Sequence, residues 1–109
     1  MTSFQAGFNA SMYSATKGAV LQMTKAFRNE WASQGIQVNS IAPGYLQTPM
    51  TAAYRAEDST MTEYLMGRTP MGRWGQPQNM EAAILFLTSP ANTFVSGVCI
   101  PVDGGFLAK

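Results

Sequence analysis

SMYSATKGAVLQMTKAFRNEWASQGIQVNSIAPG, residues 11–44, contains a helical pattern and a strand pattern separated by one glycine. From Ser11 to Gln34 the residues Val20, Met23, Phe27 and Trp31 recur at helical spacing, which predicts a long helix. Ser11 fits an N-cap, and Gly35 stands where a helix ends in a left-handed residue. Ile36 to Ala42 alternates apolar and polar residues and runs into Pro43-Gly44, the pattern of a strand entering a turn. Further along, Thr48 to Gly67 is rich in Met and Ala with weaker periodicity, broken at Asp58-Ser59, and predicts one or two short helices. Pro77 suits the first turn of a helix whose Met80, Ala83, Ile84 and Leu87 form an apolar stripe closed before Pro90. A last strand, Val98 to Val102, leads into Asp103-Gly104-Gly105.

Helix, strand, helix, strand is the rhythm of an α/β fold with a parallel sheet, and no linker or repeat divides residues 1–109 into separate units. Two strands are too few for such a sheet. Parallel sheets are normally covered on both faces, and a lone pair leaves an edge and apolar surface open. The remaining strands are expected upstream of residue 1.

Composition narrows the partners. The charged fraction is 12%, about half the roughly 25% usual for globular chains, while Ser, Thr, Asn and Gln occupy 30 positions. An uncharged polar surface and burial against another body both account for this. A net charge of +1 without a Lys/Arg cluster builds no field for nucleic acid or an anionic membrane. Cys99 alone forms no intrachain disulfide. No 18-residue apolar run or charged-then-apolar leader is present, so a reducing, cytoplasmic setting is expected. With no His and one Cys, no metal site is expected.

Chemistry concentrates at Tyr13-Ser14-Ala15-Thr16-Lys17, where i to i+4 spacing puts a phenol and an ammonium on one helix face. A free tyrosine titrates near pH 10, so ionising one at neutrality requires roughly 4 kcal/mol of preferential stabilisation. A cation at about 5 Å, with an effective dielectric near 20, supplies about 3 kcal/mol of it. Such a phenol can exchange a proton with a carbonyl or alcohol oxygen. A Tyr and a Lys sharing an exposed face by chance is the competing reading of this short motif.

YSATKGAV (13–20), NSIAPGYLQT (39–48), GRWGQP (72–77) and VDGG (102–105), in this order, resemble the second half of the short-chain dehydrogenase/reductases. SFQAGFN (3–9) and GRWGQP look most like the gluconate and deoxygluconate dehydrogenases within that family. The resemblance implies the C-terminal part of a Rossmann-type doubly wound sheet, its last two strands with flanking helices, lacking the N-terminal half. It implies an NAD- or NADP-dependent oxidoreductase interconverting a hydroxyl and a ketone on a small sugar acid or polyol, homo-oligomeric at full length. Tyr13 then corresponds to the acid/base, and Lys17 to the residue that lowers the phenol's pKa and bonds the nicotinamide ribose. Pro43 and Gly44 resemble the turn against the nicotinamide, consistent with ligands lying beyond the carboxyl ends of parallel strands. Thr48 resembles a cofactor-binding threonine, although a helix cap suits it equally. Arg73 and Trp74 stand in a loop that either lines a substrate site, Arg suiting a carboxylate, or simply turns before the Pro77 helix. Asp103-Gly104-Gly105 is expected to shape the final turn and subunit contacts. The Met-rich stretch 50–71 reads as adaptable packing or a lid.

Two departures from the family pattern bear on activity. No strand is followed by a Gly-rich phosphate turn opening a helix. The family's catalytic serine falls at or before Met1, and Ser3 matches a residue just after it. The 109-residue chain is therefore expected to be inactive alone, and the choice between NAD and NADP is not written in it. A non-catalytic fragment that at most joins full-length relatives is the alternative.

Overall fold

The computed structural model describes residues 2–5, 7, 9–56 and 59–109. Helix α1 spans Ser11–Trp31 and tightens into a 3₁₀ turn over Ala32–Gln34. Gly35 follows with φ 78° and donates its N–H to Ala32 O at 3.1 Å, so the helix ends where the glycine predicts. Its start differs from expectation. Ala10 rather than Ser11 is the N-cap, and no side chain caps the first turn. The cause lies just upstream, where Asn9 at φ 55° and an Ala10 N–H to Gly7 O bond of 3.2 Å turn the chain into the helix one residue early.

Strands β1 (Ser40–Pro43) and β2 (Cys99–Val102) pair in parallel, Ser40 against Cys99 and Pro43 against Val102. β1 is shorter than the alternation from Ile36 suggests because side chains take over its first half. The Asn39 side-chain amide donates to Val95 O at 3.0 Å and accepts from Val98 N–H at 3.1 Å, and the Gln37 amide donates to Asn92 O. Regular pairing begins only after this clamp. The connection between the strands contains a 3₁₀ turn at Pro49–Thr51, α2 (Ala52–Ala56) and α3 (Ser59–Arg68). A second 3₁₀ turn at Pro77–Met80 then leads into α4 (Glu81–Thr88), with Pro77 in its first turn as expected. Asp58, where the helical stretch is expected to break, lies outside the described residues. The fold class is α/β with a parallel pair, as the pattern predicts.

The core sits beyond the carboxyl ends of the strands. Ala42, Leu65, Trp74 and Phe106 are its buried apolar side chains among the described residues. Tyr45 stands edge-on to both Trp74 and Phe106, with ring centroids 5.9 and 5.4 Å away. The Arg68 guanidinium lies 4.4 Å from the centre of the Phe106 ring. α1 contributes little to this core. Its one buried residue is Thr24, while Val20 and Met23 are exposed and Phe27 stacks on Trp31 at 4.5 Å.

Candidate functional site

On α1, one helical turn separates Tyr13 from Lys17, and the ammonium nitrogen lies 5.3 Å from the phenol ring's centre. The helix thus brings together the two groups that the i to i+4 spacing pairs. Tyr13 is 50% exposed, so its hydroxyl is open to a second molecule. Two local bonds steady this turn: Thr16 Oγ1 donates to Tyr13 O at 2.7 Å, and Ser3 Oγ donates to Lys17 O at 2.9 Å. In that position the Ser3 hydroxyl is occupied as a tether to the helix backbone.

Pro43 and Gly44 end β1 beside the end of β2, where Gly44 N–H donates to Val102 O at 2.9 Å. A β-carbon on Gly44 would lie 2.6 Å from the Asp103 α-carbon, closer than real β-carbons approach. Glycine here lets the two strand ends converge. Asp103 then closes the second turn, its two carboxylate oxygens accepting the N–H groups of Gly105 at 2.9 Å and Leu107 at 3.0 Å. This agrees with its expected shaping of the last turn.

Beyond these strand ends lies an open cavity of about 410 Å³. Gly44, Tyr45 and Leu46 wall one side, Met71, Arg73 and Gly75 another, and Asp103 and Gly104 a third. Neither Tyr13 nor Lys17 lines it. Arg73 reaches the wall with its Nη1 held by Trp74 O at 3.2 Å and Asn79 Oδ1 at 3.4 Å. Trp74 turns the other way: it is 8% exposed, packs on Tyr45, and its indole N–H has no partner among the described residues. Thr48 occupies the N-cap of the Pro49–Thr51 turn, with its N–H donating to Thr51 Oγ1 at 3.1 Å and its hydroxyl 3.4 Å from that oxygen. Thr51 in turn donates to Leu46 O at 2.6 Å.

Tyr45 is the lining residue that sequence reasoning passes over. Burial pushes its phenol above the ordinary tyrosine value, with the nearby Arg68 charge opposing part of the rise. The available signal is its place directly after Pro43-Gly44, where a side chain leaving the strand end meets whatever the following turns bring. Asn79 is a second such residue, its Oδ1 accepting both Gln76 N–H at 2.8 Å and Arg73. Among the described residues no helix is long and apolar enough to cross a membrane, and no group of three or more metal-binding side chains gathers.

Comparison with known proteins places this geometry in a family. The family model described as enoyl-(acyl carrier protein) reductase matches residues 1–107. The chain belongs to the short-chain dehydrogenase/reductases. Among curated members of the family, the 2-dehydro-3-deoxy-D-gluconate 5-dehydrogenase of Dickeya dadantii is 45% identical over 109 residues, all of this chain and 43% of its own. The galactitol 2-dehydrogenase (L-tagatose-forming) of Cereibacter sphaeroides is 50% identical over 97 residues, 89% of this chain and 38% of its own. The solved gluconate 5-dehydrogenase of Burkholderia cenocepacia, in complex with NADP and tartrate, superimposes with a TM-score of 0.94 at 42% identity. That match covers 99% of this chain and 42% of the other. This short-chain dehydrogenase/reductase chain therefore spans less than half the length of the relatives it matches.

Proposed function

We propose that this chain carries the catalytic part of an NAD(P)-dependent oxidoreductase that interconverts a hydroxyl and a ketone on a sugar acid or related polyol. The observation that carries the reading is the Tyr13–Lys17 pair, with the ammonium 5.3 Å from the centre of a solvent-open phenol ring. In this reading the Tyr13 hydroxyl gives a proton to the substrate oxygen in reduction and takes it back in oxidation. Lys17 attracts the negative charge that forms on the phenol as its proton leaves. The names of the relatives favour a hydroxyl and ketone pair over the enoyl group in the family description, since the full length of this chain aligns to a sugar-acid dehydrogenase at 45% identity.

In this reading one end of a dinucleotide falls to residues of this chain. Pro43, Gly44, Thr48 and Lys17 would hold the nicotinamide and its ribose, whose chemistry is to give or accept hydride. A phosphate cradle is another matter. The Gly75 turn ahead of α4 is filled, because a β-carbon there would meet Leu46 Cδ2 at 2.6 Å. Arg73, with only its Nη1 engaged among the described residues, is proposed to take a substrate carboxylate, with Trp74 acting beneath it as packing. The second reading, a non-catalytic fragment, is favoured by the apolar side chains left exposed on α1 and α4.

A chimera separates the two readings: this chain replaces the matching part of the Dickeya dadantii enzyme, and NAD⁺ and NADP⁺ reduction is followed with sugar acids. The chimera should turn over, and Tyr13→Phe should lower kcat by about 10²-fold or more, the scale of general acid–base catalysis. A folded, cofactor-binding chimera whose rate is indifferent to Tyr13→Phe would refute the assignment.

A further inference from the structure

Resting on the role proposed for Arg73, we infer that Arg73 and Asn79 together read an α-hydroxycarboxylate in the cavity beyond the strand ends, so that this site takes sugar acids and refuses neutral polyols. Asn79 settles which edge of the guanidinium is free. Its Oδ1 accepts Gln76 N–H at 2.8 Å and Arg73 Nη1 at 3.4 Å, and Nη1 also donates to Trp74 O at 3.2 Å. Nη1 is thereby spent on the protein. Nε and Nη2, the edge that meets a carboxylate through two parallel bonds, carry no bond among the described residues. The same two donors fix the Asn79 amide, because exchanging its oxygen and nitrogen would set an NH₂ group against both of them. Its Nδ2 is then a donor with no bond among the described residues, and both side chains line the cavity.

These donors stand on pinned backbone. Gly75 N–H donates to Tyr45 O at 2.9 Å, Gln47 N–H to Gly75 O at 2.8 Å and Asn79 N–H to Gln76 O at 2.9 Å, so the turn from Arg73 to Asn79 is tied to the end of β1. Donor positions are thus set before a ligand arrives, which spares the cost of ordering them. The cavity's 410 Å³ lies within the roughly 300–1,000 Å³ usual for small-molecule sites, and Leu46, Met71 and Met80 supply apolar wall. Asp103 brings an opposing charge to the wall, but its two oxygens are taken by the N–H groups of Gly105 and Leu107. Arg73 and Asn79 offer donors only, one of them a fixed cation. The matching chemistry is a carboxylate across the Arg73 edge and an adjacent hydroxyl oxygen on Asn79 Nδ2. A neutral polyol leaves the guanidinium edge without its charge-assisted pair. Since neither Tyr13 nor Lys17 lines this cavity, the end of the molecule held here is the one that does not react.

The test is NMR titration of the isotope-labelled 109-residue chain with D-gluconate, acetate and D-glucitol, observed at the Arg73 Nε–H and Asn79 side-chain amide signals. D-gluconate should move both signals saturably, acetate that of Arg73 alone and more weakly, and D-glucitol neither. Asn79→Asp is the decisive variant, because it keeps the oxygen that caps Gln76 N–H and holds Arg73 while replacing the Nδ2 donor by negative charge. It should keep or raise the urea unfolding midpoint and yet weaken gluconate by at least about tenfold, the scale of a lost bond to a charged group. Arg73→Lys, cationic but without the planar fork, should weaken it by a similar factor. An Asn79→Asp chain that binds gluconate as tightly as the wild type makes Asn79 a helix cap and nothing more, and overturns the inference. Gluconate that moves neither signal overturns it too, as does D-glucitol binding as tightly as gluconate. The fused chimera keeps the two conclusions apart: if it turns over in a Tyr13-dependent way while these signals ignore gluconate, the cavity reading fails and the hydroxyl–ketone chemistry stands. If gluconate binds as described and the chimera is indifferent to Tyr13→Phe, the reverse holds.

Discussion

Phe106 offers the most direct test of where this fold derives its stability. It is 5% exposed, meets Tyr45 edge-on at 5.4 Å and carries the Arg68 guanidinium 4.4 Å from its centre. Replacing it by Leu retains most of the apolar burial and removes the ring interactions. An edge-to-face pair contributes about 1 kcal/mol beyond burial and an exposed cation–π contact about 0.5 kcal/mol, so Phe106→Leu should cost about 1.5 kcal/mol. With a urea m-value of about 1.5 kcal/mol per M, the unfolding midpoint falls by about 1 M. Phe106→Ala additionally opens a cavity and should cost about 4 kcal/mol, enough to unfold a small domain of ordinary stability. Phe94, 98% exposed, is the internal control, and its replacement by Leu should leave the midpoint unchanged. The assay is equilibrium urea unfolding followed by Trp fluorescence, since Trp74 reports on the same cluster. If Phe106→Leu lowers the midpoint no more than Phe94→Leu, the cluster around Tyr45 is not the stabilising core.

Two further outcomes follow from close approach and from burial. Gly44→Ala puts a β-carbon 2.6 Å from the Asp103 backbone and should cost about 1–3 kcal/mol, whereas Gly18→Ala, with nothing within 4 Å in mid-helix, should be stabilising by up to about 1 kcal/mol in the same unfolding assay. The Tyr45 phenol is raised chiefly by burial, so the unfolded chain loses that proton first; stability is complete below about pH 10 and falls as pH rises past it. Urea midpoints measured between about pH 9 and 11 should therefore drop more steeply for the wild-type chain than for Tyr45→Phe.

The legible parts of this structure are those governed by short-range physics. A helical stripe, a glycine at a helix end, a proline in a first turn and two alternating runs each act within a few residues; the body of α1, Gly35, Pro77 and the parallel strands are found as they predict, although the N-cap of α1 and the start of β1 are displaced. The Tyr13–Lys17 pairing is of the same kind, because one helix sets it. Side chains that act across the chain are a different matter. Nothing around Asn39 announces that its amide clamps Val95 and Val98, more than fifty residues away, and delays the strand. Arg73 and Trp74 are adjacent and read alike in sequence, yet one reaches the cavity wall and the other the core. Which one faces inward depends on where Tyr45 sits, a tertiary fact.

The chemistry-bearing helix is also a weakly supported one, and this has a measurable consequence. α1 buries one side chain, Thr24, whose hydroxyl bonds back to Val20 O within the same helix at 2.9 Å. Packing of an amphipathic face normally supplies most of a helix's stability. β1 and the turn after it are tied by the ladder, by the Leu46–Gly75 bridge and by the Tyr45 cluster. Local opening should therefore be uneven. In hydrogen exchange on the isolated chain, the amides from Tyr13 to Phe27 should exchange through openings costing about 1–2 kcal/mol, while those of Ser40, Ala42 and Gly44 approach the limit set by global unfolding. Equal protection of α1 and β1 would refute this, and would mean that the Tyr13–Lys17 pair is already held rigidly by contacts this fold does not display. If the difference is found, whatever covers α1 is also what fixes the phenol and the ammonium in register, because a fraying helix holds their 5.3 Å approach only part of the time.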